Sequence, residues 1–232
     1  MRKTNKGNWD EWFVADTSNK KNSFVNQAIA QRHDFYISGD VEPAENYIDW
    51  FNTIRNAGAD DVVTLYINSY GGDMYCALQF LSVLQESQAT TIARVEGACM
   101  SAATMIALGC EAFTVSPESV WMVHNYSGGT LGKGGEMHDQ ISFERKWSSK
   151  FITETYKHFL TEEEIKCVLD GKDMWMDADE AIERLIKRAD AINAEIDAEI
   201  EAEMELEEEP KPKKKASKKK VSKKKASKKG EK

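Results

Sequence analysis

The sequence is short of the features that would place it in a membrane, a secretory route or a metal site. Its longest uncharged apolar run is fourteen residues, Gly97 to Cys110 (GACMSAATMIALGC), bounded by Glu96 and Glu111. A spanning helix needs ~20 such residues, so no membrane contact is expected. The opening MRKTNKGNWDEW is basic but has no apolar stretch behind it, which argues against a secretory signal and for an intracellular location. The four cysteines, Cys76, Cys99, Cys110 and Cys167, show no CxxC spacing and lie in apolar or helix-like contexts. Reduced thiols acting as small hydrophobes are expected, with neither disulfides nor zinc. Histidine is equally scarce, at four residues.

Charge is plentiful and unevenly placed. The net charge of -8 combines 13 lysines and one glutamate between Pro210 and Lys232 with 18 basic and 38 acidic residues before them. The protein reads as an acidic body with a basic tail. A hydrophobic content of 41% supports a real core in the body.

Residues 1–31 are polar with one aromatic cluster (Trp9, Trp12, Phe13) and read as an N-terminal arm. From there strand and helix patterns alternate. DFYISGDV is strand-like, AENYIDWFNTIRNAG helical, VVTLYIN a strand and MYCALQFLSVLQES a helix. TTIARVEG is a strand, MSAATMIALG a helix, and AFTVSP and VWMVHN two short strands. This β-α-β-α-β succession predicts an α/β fold with a mainly parallel sheet. Beyond it, a long helix is expected from Glu136 to about Leu160. The Thr161-x-x-Glu164 capping box starts another at Glu162, and a third opens near Asp177. An acidic helical extension, residues 191–209, leads to Pro210 and Pro212. The final segment, 210–232, repeats Lys-Lys-Lys-(Ala/Val)-Ser and has too little apolar surface to offset the entropy of ordering.

Three features bear on chemistry. The glycine pair Gly71-Gly72 after VVTLYINSY either lets the chain turn or presents backbone N–H groups to a substrate oxygen. Ser101 is either a core hydroxyl bonded to a carbonyl one turn back, or a side chain at a helix N-terminus that favours developing negative charge. His124, ending VWMVHN, is a ligand, a base or a packed ring. A base needs an orienting partner, and the 38 acids of the body leave that partner open.

The order of motifs narrows these choices. INSYGGDMYCALQFLSVLQ, GACMSAATMIALG, VWMVHN and KDMWMDADEAIE together resemble the successive motifs of the Clp protease proteolytic subunit, a serine peptidase of the crotonase-like superfamily. RHDFYISGDV resembles its opening strand, and the likeness covers residues 32–190 as one peptidase domain. The resemblance implies Ser101 as nucleophile, His124 as general base and Asp173 as the acid that orients it. It also implies the backbone N–H groups of Gly72 and Ala102 as oxyanion-hole donors. Gly71, Gly128 and Gly129 would line the substrate, the last two within SGGTLGKGG, which resembles the strand-and-handle region.

The sequence departs from the family at Tyr70, where a proline is usual, and at Ala102, where a methionine is usual. The family's Gly-Leu-(Ile/Val)-Asp ending is replaced by Arg184-Leu185-Ile186-Lys187, which runs on as a helix. The implied activity is endoproteolysis of unfolded polypeptide in a homo-oligomeric ring, with no cofactor in this subunit and ATP consumed by an AAA+ unfoldase partner. A bacterial cytoplasm or a virus-infected cell fits the reduced thiols. The lysine tail suggests non-specific polyanion or DNA contact, and the acidic segment before it suggests self-neutralisation. Three rival readings stand beside this one: a phage head-maturation protease on the same fold, a crotonase-like acyl-CoA enzyme, and a non-catalytic nucleic-acid-associated protein.

Overall fold

A computed structural model describes residues 30–208, so the N-terminal arm and the lysine-rich segment lie outside the described residues. Six strands and six helices follow in order: β1 (Arg32–Val41), α1 (Ile48–Asn56), β2 (Val62–Gly72), α2 (Met74–Glu86), β3 (Thr90–Met100), α3 (Ala102–Leu108), β4 (Ala112–Val115), β5 (Val120–Val123), α4 (Gly134–Tyr156), α5 (Glu162–Leu169), β6 (Met174–Asp177) and α6 (Ala178–Glu208). The sheet order is β1-β2-β3-β5-β6, with β4 paired to the first half of β3. All pairs are parallel except β5–β6. The chain divides into two compact units between Ile192 and Asn193.

The sheet and its helices follow from apolar patterning. In β2, Val63, Leu65 and Ile67 alternate inward and are fully buried. Helices α1 and α2 cover this side with an aromatic cluster in which the Phe51 and Phe80 ring centroids stand 4.8 Å apart, edge to face. Helix α3 is buried on every residue, which explains why its sequence carries no charge. It packs against β2 and α2. Asp73 starts α2 by accepting a hydrogen bond from the Cys76 N–H at 2.6 Å.

The sequence pattern missed β6. No element is expected at Met174–Asp177, only a helix opening near Asp177, yet the segment pairs antiparallel with β5 in the register Val123↔Met174 to Val120↔Asp177. A four-residue strand buried on Met176 alone has too little periodicity to announce itself. The segment from Ser127 to Lys133 forms no regular element, and α4 begins at Gly134.

Helix α6 runs through Arg184-Leu185-Ile186-Lys187, and the structure gives a reason. The Arg184 guanidinium donates to both carboxylate oxygens of Glu164 at 2.7 and 2.8 Å and to the Phe159 carbonyl at 3.2 Å, tying α6 to α5. These bonds, ahead of a burial penalty, hold the Glu164 carboxyl down to about 2 from its ordinary 4.5. A carboxyl whose folded value is depressed stabilises the fold above its unfolded value, and that contribution disappears as pH falls toward 2. We expect Glu164→Gln, which keeps the capping geometry, to cost about 1–2 kcal/mol at pH 7, less than full linkage because both side chains stay partly hydrated. The difference from wild type should shrink between pH 5 and 2, as read from urea midpoints across pH.

Candidate active site

The site grows out of the end of β3. Ser101 sits between β3 and α3 with φ 52° and ψ -126°, a left-handed backbone that a non-glycine residue rarely adopts. Its N–H donates to the Met122 carbonyl at 2.8 Å, and its carbonyl accepts from both the N–H and the hydroxyl of Thr104, at 3.0 and 2.6 Å. The Thr104 hydroxyl has one proton, already given to Ser101, so the buried Tyr156 phenol must be the donor in the 2.6 Å contact between them. This chain of bonds clamps the corner from below and leaves the serine side chain projecting outward.

His124 follows β5 directly, and β5 lies beside the end of β3 in the register Met100↔Met122. The two strand ends therefore deliver both side chains to one place: His124 Nε2 and Ser101 Oγ are 2.7 Å apart. Both side chains are half-buried. They border a cavity of about 250 Å³ whose wall also includes Gly72, Ala102, Met105, Tyr126 and Phe151.

The glycine pair belongs to this corner for steric reasons. Gly71 has φ +102°, and a Cβ there would lie 2.6 Å from Ser101 Cβ and 2.8 Å from the Met100 carbonyl. Its N–H is directed at Ser69 Oγ, 3.1 Å away. Gly72, at φ +149°, is pressed against β1, where a Cβ would fall 2.2 Å from the Val41 carbonyl oxygen. Ala102 is the first residue of α3, so its N–H has no acceptor one turn back within the helix. The positive end of α3 thus opens beside Ser101.

Asp173 is near but not joined. It immediately precedes β6, and the β5–β6 register carried one residue past Val123↔Met174 sets it across from His124. Among the described residues no hydrogen bond links the two, and Asp173 is exposed. The neighbouring Asp177 is engaged elsewhere, accepting the Glu180 N–H at 2.9 Å as the cap of α6. Gly128 and Gly129 line an adjoining cavity rather than the one at Ser101, the two sharing Met74, Tyr75, Tyr126 and Ser127 as walls. The residues that sequence reasoning missed are Thr104 and Tyr156, 52 positions apart, which no local pattern could pair.

The buried thiols do not compete as nucleophiles. Burial pushes Cys76 up to about 12 and Cys99 well above its ordinary value, so both stay protonated near neutrality. Among the described residues no group of three or more His, Cys, Asp or Glu is placed to hold a metal ion. No helix among them is long and apolar enough to cross a membrane.

The site thus sets a serine at a strained strand-to-helix corner against a histidine in a mainly parallel α/β fold. The chain belongs to the Clp protease family, whose sequence model matches residues 18–187. It is 28% identical over 123 residues to the ATP-dependent Clp protease proteolytic subunit of Bacteroides thetaiotaomicron. That match takes in 52% of this chain and 56% of the relative, so the chain spans just over half the length of that protein.

Proposed function

We propose that the chain is a serine peptidase in which Ser101 attacks a peptide carbonyl and His124 takes its proton and passes it to the leaving amine. The observation that carries this is the 2.7 Å contact between Ser101 Oγ and His124 Nε2 at the mouth of a cavity. Attack forms the bond from Oγ to the carbonyl carbon and breaks the C–N bond. Water then hydrolyses the acyl-enzyme with His124 again as base. The amides of Gly72 and Ala102 are the proposed donors to the carbonyl oxygen as it gains charge, supported by their place on the cavity wall and by the open N-terminus of α3. No cofactor is required in this chain.

Asp173 is the proposed orienting acid, supported by its register opposite His124 and by the commitment of Asp177 to the α6 cap. Because Asp173 is exposed, its charge is partly screened, and its removal should cost less than removal of a buried acid. We expect Asp173→Asn to lower kcat by about 10–100-fold with little change in KM, below the ~10⁴-fold known for a buried triad aspartate. Asp177→Asn, which retains a capping side chain, should leave kcat within a factor of about two. Initial rates on a fluorogenic peptide decide this. Equal losses in the two variants would remove Asp173 from the mechanism.

The wider reading is a subunit of a homo-oligomeric, Clp-type protease in the cytoplasm, acting on unfolded polypeptide delivered by an AAA+ unfoldase. Family membership supports it, and a phage head-maturation role would share the same chemistry with other partners. A crotonase-like acyl-CoA enzyme needs the oxyanion hole but no serine–histidine contact, so the 2.7 Å pair favours peptide hydrolysis. The lysine-rich segment 210–232 supports salt-dependent contact with DNA or another polyanion alongside that activity. A purely nucleic-acid-associated protein would leave the Ser101–His124 pair without a use.

A further inference from the structure

Beside the cavity at Ser101 lies a second one, of about 280 Å³, that the hydrolytic chemistry does not use. Its far wall is one face of α4. Gln140, Glu144 and Trp147 fall at successive four- and three-residue steps, so all three side chains look into the cleft. Tyr75 and Tyr126 also line it. The Tyr75 and Trp147 rings are stacked with centroids 5.5 Å apart and planes at 18°.

Glu144 is the odd member of this wall. It is half-buried, and its Oε1 accepts only the neutral amide of Gln140, at 2.8 Å. Gln140 is itself fixed, its carbonyl accepting from Thr130 at 2.5 Å. Helical neighbours that could neutralise Glu144 would sit three or four residues away, and those positions hold Gln140, Ile141, Trp147 and Ser148. Among the described residues no Lys, Arg or His forms an ion pair with it. A carboxylate beside a stacked aromatic pair whose Tyr75 ring is 63% exposed, in a cleft wide enough for a side chain, suits a cation: the carboxylate takes the charge and the exposed Tyr75 ring takes the aliphatic stem and the π contact.

We infer that the cleft walled by Glu144, Tyr75 and Trp147 is a substrate subsite that selects a basic side chain at one position away from the scissile bond. This deepens the peptidase reading and rests on it, since the two cavities share Met74, Tyr75, Tyr126 and Ser127 and a peptide lying across Ser101 would continue into the second. It assigns a substrate class to the site: unfolded polypeptide with a lysine or arginine at a fixed distance from the cleaved bond.

The test separates binding from catalysis. Full-length Ser101→Ala protein is titrated with fluorescent peptides that are identical except for lysine or norleucine at one position, the position being moved stepwise along the peptide. Because each pair is read against the same chain, the protein's own lysine-rich segment acts equally on both members. At one position the lysine peptide should bind about three- to tenfold tighter than its norleucine twin, the range for a partly exposed charge pair with an aromatic contact. Adding Glu144→Gln, an isosteric change, should bring that ratio close to one, and wild-type kcat/KM should show the same preference. Equal binding of the twins at every position, absence of binding by both, or a preference that survives Glu144→Gln would each overturn the inference. Failure of the peptidase reading would show separately, as no hydrolysis of the norleucine peptides by wild type.

Discussion

Ser101→Ala is expected to lower peptide hydrolysis by about 10⁴–10⁶-fold while leaving the fold intact. In the proposed mechanism the hydroxyl oxygen forms the new bond, so its loss is large, and no neighbouring group replaces it. The thiols of Cys76 and Cys99 are buried and held protonated. The fold should survive because the bonds that clamp the corner use the Ser101 backbone, its N–H to Met122 and its carbonyl to Thr104, and not its side chain. Rates on a fluorogenic peptide, with urea midpoints for both proteins, check the two halves of this statement. A midpoint shift worth more than about 1 kcal/mol would mean that the hydroxyl also holds the corner.

Gly72→Ala should have the largest effect on stability. The added methyl would lie 2.2 Å from the Val41 carbonyl oxygen and 2.7 Å from the Val41 nitrogen. Both are backbone atoms of β1, paired to β2 at this point, so neither can swing aside as a side chain would. The β1 end of the sheet must shift, at a cost of about 4 kcal/mol or more, a large share of the ~5–15 kcal/mol that holds a typical domain folded. Gly129→Ala is the matched control: nothing lies within 4 Å of its added methyl, and a change below about 0.5 kcal/mol is expected. Soluble yield and urea midpoints distinguish the two. Near-normal stability of Gly72→Ala would show that β1 and β2 do not pack this closely.

The contrast between these glycines shows where the sequence was readable. A glycine pair after a β-branched strand signals a special backbone position, but only the paired strand reveals that Gly72 is fixed by Val41 of β1. The alternating elements from β1 to β5 were legible because each has a strong period and a turn signal at its end. Strand β6 was not, because four residues paired through the backbone carry almost no pattern of their own. Helix α6 was legible as a helix, but its buried stripe was not. Ala178, Ala181 and Leu185 face the core, while Ile186 is 57% exposed.

The same division runs through the site. Ser101 and His124 could be singled out from their places at element ends, and the family resemblance gave them roles. Their meeting depends on β5 lying next to β3, a long-range pairing across 23 residues. The orienting acid was open in the residue pattern, with 38 acids in the body, and only the family resemblance pointed to Asp173. Register and the α6 cap separate Asp173 from Asp177. The positive φ of Ser101 had no sequence signal at all, since glycine is the usual residue there. In GACMSAATMIALGC the one residue that pays for backbone strain is also the one that reaches the histidine.

The most direct measurement of the central claim is fluorophosphonate labelling of the full chain, with the modified residue mapped by peptide mass spectrometry. Labelling is predicted on Ser101 alone, absent in Ser101→Ala and slowed at least about 100-fold in His124→Ala, where the proposed base is gone. Equal labelling of wild type and Ser101→Ala, or labelling unaffected by loss of His124, would contradict it.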